Sequence, residues 1–249
     1  MIRHLTSAFA MCMVLSGPVL SLDLNTMTDS ERDALRAEIR AYLLENPEVI
    51  MEAVAVLEKR EAAQQDDEDK MLVQSNADAL FDDPNSWVGG NPEGDITMVE
   101  FVDYRCGYCR KAHDEVAALL KSDGNIRLIV KDFPILGEAS NKSARFAVAV
   151  RQLAGDDAYH DAGEALIRLK GQPTDPALTR LASSLGLESA EVLKQMYSPD
   201  VDAVIAANHA LGGKLKINGT PTFVIEDRML RGYLPLDGMQ ALVAELRGE

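Results

Sequence analysis

Three cysteines in 249 residues are too few for a disulfide-stapled scaffold. Basic side chains are also short: 25 Lys and Arg face 40 Asp and Glu, a net charge of −15. That balance excludes a general nucleic-acid binder, because phosphate neutralisation needs clustered cations. Beyond residues 5–15 no segment is long and apolar enough to span a bilayer. A charged fraction of 26 % with 47 % apolar residues excludes wholesale disorder and any collagen-like or low-complexity chain. The length suits one large domain, or one domain with an appendage.

The first segment stands apart from the fold. Arg3 and His4 make a short basic start, residues 5–15 are almost uninterrupted apolar sequence, and Gly17-Pro18 precedes Val19-Leu20-Ser21. This is the pattern of a secretory signal peptide over residues 1–21, too short in its apolar run for a retained anchor. Cys12 leaves with it, so the mature chain holds Cys106 and Cys109. The expected product is exported, to a compartment such as the periplasm where disulfides persist.

Charge divides the remainder. Residues 22–83 carry 17 acidic and 6 basic side chains, net −11, whereas residues 84–249 carry 23 and 18, net −5. In the acidic part, Thr28 or Asp29 can cap a helix with apolar positions at Leu35, Ile39, Tyr42 and Leu43. Asn46-Pro47 ends it and starts a second, striped at Ile50, Ala53, Val54 and Leu57 and, if continuous over residues 47–81, about 50 Å long. A short apolar stripe on such a helix needs a partner, either its own domain or copies of itself. The run Asp66-Asp67-Glu68-Asp69 reads as a solvated helix face.

From Trp87 the pattern changes. Residues 96–104 form a β-leaning run, followed by the cysteine pair, a helix to about residue 120 and a strand at residues 126–133, an order that implies parallel pairing. Residues 139–211 read as helices broken at Gly155, residues 171–176, Gly186 and Ser198-Pro199. A hairpin over residues 222–233 and a helix over residues 236–247 close the chain.

Cys106-Gly107-Tyr108-Cys109 follows a strand and opens a helix, the context in which a C-x-x-C carries redox chemistry. One helical turn brings the two sulfurs within bridging reach. At the helix start, free N–H groups and the helix dipole favour a thiolate at Cys106, and Arg105, Arg110 and Lys111 add cations. Haem attachment would need His where Arg110 stands. Structural zinc needs four ligands and only His113 is near, while a purely structural bridge over two residues constrains the unfolded chain very little. Redox use is the leading expectation, with metal binding and a structural bridge as weaker alternatives.

The run Glu100-Phe101-Val102-Asp103-Tyr104-Arg105-Cys106-Gly107-Tyr108-Cys109 and the later Gly219-Thr220-Pro221-Thr222-Phe223 resemble the two signatures of DsbA-family thioredoxin-fold proteins. The resemblance covers about residues 84–249 and implies an α/β thioredoxin fold interrupted by a helical insertion at about residues 139–211. Glu45-Asn46-Pro47-Glu48-Val49-Ile50 and the helix after it are similar to the extension of ScsC-type proteins, linked to bacterial copper tolerance. By this resemblance residues 22–83 are an α-helical N-terminal oligomerisation region and linker, and the oligomer is a trimer.

Carried over by position, Thr220 and Pro221 match the family's cis-proline element, which faces the cysteines; an ordinary trans turn is the alternative. Glu100, six residues before Cys106, matches the buried acid beneath the second cysteine and would relay the proton of Cys109; a water-facing edge carboxylate is its alternative. The dipeptide Gly107-Tyr108, with Thr220 before the proline, resembles DsbC-type isomerases rather than the Pro-His of DsbA-type oxidases. Tyr108 supplies no cation, so a weaker oxidant is expected, tilted toward isomerase or reductase.

His113 is expected to face solvent and Lys131 to be a strand-end surface lysine. Met98, Met196 and Met229 form no Met-x-x-Met cluster. No cofactor and no resident metal are expected. The resemblance implies exported protein substrates and a membrane redox partner. The competing readings are a Cu(I) carrier that uses the same two thiolates, and a DsbA-like dithiol oxidase.

Overall fold

Thr28 starts the first helix, α1 (Asp29–Glu45), through a reciprocal capping box with Glu31. Asn46 ends it, its backbone and side-chain N–H groups both on Tyr42 O, and Pro47 leads into α2 (Glu48–Ser75). The structure, a computed structural model, describes residues 26–248; the signal-peptide segment, residues 1–21, lies outside the described residues. The chain divides into two units, residues 1–59 and 60–249. In the first, Ile39, Tyr42, Ile50, Val54 and Leu57 are between 41 % and 55 % exposed while Leu35 and Leu43 are half-buried, so most of the apolar stripe read from the sequence is uncovered in the single chain.

The second unit begins inside α2, and the stretch expected to be one helix over residues 47–81 is broken. Asn76 turns its side chain back onto Leu72 O, and a short α3 (Ala77–Phe81) follows. Val73 and Leu80 are buried against Val99, Phe101 and Ile129. The acidic run is likewise no free solvated face. Asp69 is buried on Arg231, Asp66 pairs with Arg228 at 3.2 Å, and Glu68 pairs with Lys216 at 3.0 Å. These cations come from more than 140 residues downstream, beyond the reach of local pattern.

Five strands form one sheet in the order β1 (Trp87–Gly90), β3 (Ile126–Asp132), β2 (Ile96–Val102), β4 (Thr222–Ile225), β5 (Arg228–Arg231). Only β2 and β3 run parallel. The crossover between them is α4 (Gly107–Asp123), as a parallel pair requires. Strand alternation sends Ile96 and Met98 to the face covered by α4 and α9 (Leu236–Arg247), and Val99 and Phe101 to the other. Glu100 shares the Met98 face, opposite Val130 and Phe223 on the neighbouring strands.

Between β3 and β4 lies the helical insertion: α5 (Glu138–Ile167), α6 (Asp175–Ser184), α7 (Ser189–Gln195) and α8 (Pro199–Lys214). Gly155 breaks α5 with φ 85°, a conformation that glycine adopts without the Cβ clash. The insertion has its own core, including Phe146, Leu166, Leu178 and Met196, continuous with Tyr104 and Cys109 of the active-site turn. Among the described residues no helix is long and apolar enough to cross a membrane.

Candidate active site

Asp103, at the end of β2, builds the turn that presents the cysteines. Its buried carboxylate accepts backbone N–H groups from Arg105 at 2.8 Å, Ile135 at 2.9 Å and Leu136 at 3.2 Å, while its carbonyl accepts Cys106 N at 3.0 Å. Sequence reasoning passed over this residue. The signal was an Asp placed to bond its own backbone two residues on.

Cys106 is the N-cap of α4 and keeps extended backbone geometry, φ −71° and ψ 126°. Its thiol donates to Thr220 O at 3.1 Å. The Thr220–Pro221 peptide is cis, so the carbonyl that touches Cys106 belongs to the element that leads into β4. Tyr108 is 63 % exposed and stacks on Tyr233, with ring centroids 6.2 Å apart.

Cys109 is fully buried, and both cysteines are free thiols. Burial, with the nearby Glu100 and Cys106, pushes the Cys109 thiol well above its ordinary range. Thr220 Oγ1 is buried without a hydrogen-bond partner among the described residues, yet lies near enough to Cys109 to favour its ionised form.

Glu100 lies on the middle strand of the sheet, 6 % exposed, and burial raises its carboxyl to about 7. The alternative of a water-facing edge carboxylate does not hold, because β2 has a partner on each side. Glu100 lines a cavity of about 110 Å³ shared with Tyr104, His113, Val116, Tyr159 and Glu164. His113 does not simply face solvent. It is half-buried at the cavity wall with Nε2 2.5 Å from Glu164 Oε1.

Cys106, Cys109, Thr220, Pro221 and Glu100 thus come together beside the sheet, although Cys106 and Thr220 are 114 residues apart in sequence. Lys131 is not among them and is not a surface lysine. Its side chain is fully buried, with Nζ 2.8 Å from Asp83 Oδ2 and 2.9 Å from Ser86 Oγ. Two aromatic hydroxyls that sequence reasoning missed lie behind the turn. Tyr159 donates to Asp132 Oδ2 at 2.9 Å and Tyr104 to Tyr159 at 3.4 Å, while burial raises Asp132 to about 6. Met98, Met196 and Met229 fall in three separate core clusters. Among the described residues no group of three or more His, Cys, Asp or Glu side chains is placed to hold a metal.

Chemically, the arrangement offers one thiol at the N-terminus of a helix, 8 % exposed, a second thiol fully buried behind it, and a buried carboxyl raised to about 7. Residues 82–245 match the family model described as thioredoxin, and residues 31–64 match the copper resistance protein ScsC N-terminal domain. A thioredoxin-like oxidoreductase from Silicibacter pomeroyi DSS-3 is 43 % identical, covering 69 % of this chain and 98 % of that one, with a TM-score of 0.63. The thiol-disulfide exchange protein alpha-DsbA2 from Wolbachia pipientis is 28 % identical over 74 % and 98 %, with a TM-score of 0.67. Proteus mirabilis ScsC in a transitional conformation is 25 % identical over 90 % and 98 %, with a TM-score of 0.64. The chain spans about a quarter of the length of the curated Na(+)/H(+) antiporters it matches, 24 % for that of Salinispora arenicola. With the cysteine pair, the cis proline and these similarities together, the chain belongs to the thioredoxin family and is similar to the DsbA2 and ScsC proteins within it.

Proposed function

We propose that this protein is a periplasmic disulfide isomerase or reductase that acts on exported proteins through Cys106 and Cys109. The observation that carries the reading is the Cys106 thiol resting on Thr220 O of a cis Thr220–Pro221 peptide, above a buried Cys109 and Glu100. Cys106 as thiolate attacks one sulfur of a client disulfide, forming a mixed disulfide and expelling the other client sulfur as thiolate. In isomerisation a second client thiolate attacks that mixed disulfide and expels Cys106, so no electrons are gained or lost overall. In reduction, Glu100 takes the Cys109 proton and Cys109 attacks Cys106, closing the Cys106–Cys109 disulfide and releasing the client as a dithiol. A membrane redox partner then returns the pair to the dithiol.

Thr220 and Pro221 offer backbone beside Cys106 for pairing with the client chain, and the neutral Tyr108 suits a protein that breaks disulfides more readily than it makes them. The N-terminal region assembles the chain into a homo-oligomer, a trimer by the ScsC resemblance, through the stripe Ile50, Val54 and Leu57. Its exposure in the single chain supports this. Several catalytic units on one assembly raise the local thiol concentration around a misfolded client.

The test is refolding of a scrambled-disulfide substrate by the intact reduced protein, run beside a Cu(I) titration. Recovery of native substrate that vanishes in Cys106→Ala is the expected result. Oxidation of dithiols without recovery would make the protein a dithiol oxidase. Stoichiometric Cu(I) binding with negligible exchange would make it a copper carrier.

A further inference from the structure

Around the cysteines, two arginine side chains stand without an ion-pair partner among the described residues. In the second unit Arg145, Arg151, Arg168, Arg228, Arg231 and Arg247 are each ion-paired with a carboxylate, whereas among the described residues Arg60, Arg105, Arg110, Arg127 and Arg180 have no ion pair. Arg105 and Arg110, which flank the cysteine pair, have no carboxylate in ion-pair reach among the described residues, in a chain of net charge −15.

Both instead donate to one oxygen. Arg105 Nη1 lies 3.0 Å and Arg110 Nη2 3.1 Å from the carbonyl of Leu169, just past α5, and Arg110 Nε lies 3.3 Å from Tyr104 O. Two guanidinium groups are therefore held within two hydrogen-bond lengths of each other. Burial and the neighbouring Arg110 hold Arg105 below its ordinary range, against the opposing pull of the Asp103 carboxylate. Each guanidinium carries five N–H donors, so most of these remain uncommitted, and both side chains are half-exposed. Arg105 adjoins Cys106, and Arg110 follows it by four residues, one helical turn along the same face of α4. Paired, like-charged forks of this kind match a carboxylate, which accepts two parallel N–H bonds and relieves the repulsion between them. Lys111 is engaged elsewhere, 4.1 Å from the Tyr233 ring centroid.

We propose that Arg105 and Arg110 form a carboxylate subsite that binds an acidic side chain next to the reacting cysteine of the client. The preferred substrates of Cys106 are then disulfides flanked by Asp or Glu. This inference rests on the exchange reading above and adds a substrate class to it.

The experiment uses the intact reduced protein and three fluorogenic peptide disulfides that differ only in the residue after the cysteine: Glu, Gln or Lys. Each exchange rate is divided by the rate of the same peptide with dithiothreitol, which removes intrinsic reactivity. At low salt the Glu peptide should exceed the Gln peptide by about three- to tenfold, with Lys lower still. The ratio should shrink in 0.5 M salt, by screening. In Arg105→Gln/Arg110→Gln the Glu-to-Gln ratio should fall to about one, while Arg110→Lys, which keeps the charge, retains part of it. Arg180→Gln, a single charge removed on α6, keeps the full ratio. Equal normalised rates for Glu and Gln in the unaltered protein, or a ratio that survives in the double Gln variant, would overturn the subsite and leave exchange standing. No exchange with any of the three peptides would overturn the exchange reading and the subsite with it.

Discussion

Replacing Glu100 by Gln should make the protein more stable at alkaline pH and slower in catalysis. Burial holds the Glu100 carboxyl at about 7 in the folded chain, against 4.5 for the unperturbed group. Between those values the folded protein keeps a proton that the unfolded chain has released. Stability is therefore fully present below the lower value, declines as pH rises through the window, and stays reduced above about 7. A displacement of this size corresponds to about 3 kcal/mol lost by pH 8. Gln has nearly the same shape and cannot ionise, so Glu100→Gln should match the parent near pH 4 and exceed it by about 3 kcal/mol at pH 8. Asp132 drifts in the same direction, but it is present in both proteins and drops out of the difference. Urea unfolding under reducing conditions, measured from pH 4 to 8, reads the effect directly. If the two proteins kept the same difference at every pH, the carboxyl would ionise over the same range in the folded and unfolded chains, and the argument that burial raises it would be wrong. Loss of the base should also slow release of the mixed disulfide by about a hundredfold at pH 7.5 and flatten its rise with pH.

Three further outcomes follow from the packing. Val54→Asp with Leu57→Asp should turn the intact protein from an oligomer into a monomer by sedimentation; an unaltered protein already monomeric at micromolar concentration would contradict the assembly. A chain beginning at Arg60 should be monomeric, keep its redox-active pair and lose isomerase activity, and one beginning at Asp83 should be distinctly less stable, having lost Val73, Leu80 and the Asp69 partner of Arg231. Full isomerase activity in the Arg60 chain would leave assembly without its catalytic purpose. Lys131→Met should cost about 3 kcal/mol in urea unfolding by stranding Asp83 and Ser86, and a change below about 1 kcal/mol would show the pair to be dispensable.

What the sequence disclosed was local. The strand–cysteines–helix–strand order was legible because β2 and β3 are apolar, β-leaning runs and the motif sits where the first of them gives way to α4. The breaks of the insertion were legible from Gly155, Gly186 and Ser198-Pro199, and the place of Thr220, Pro221 and Glu100 came from resemblance rather than from pattern. β1 escaped because Trp87-Val88-Gly89-Gly90 has half its residues as glycine and is a strand only through pairing with β3. The acidic run and Lys131 were misjudged for one shared reason: their partners lie far away in sequence, and a charge is read as solvated until its counter-ion is located. The apolar stripe of the N-terminal helices was legible as a stripe. Periodicity shows a face that needs covering and not what covers it.

The central claim, that Cys106 attacks client disulfides and Cys109 resolves the product, is tested most directly by the intact mass of Cys109→Ala after incubation with a peptide disulfide. The account predicts one peptide adduct per chain, mapped by digestion to Cys106, removed by dithiothreitol and absent from Cys106→Ala. An adduct on another residue, or normal exchange by Cys106→Ala, would contradict it.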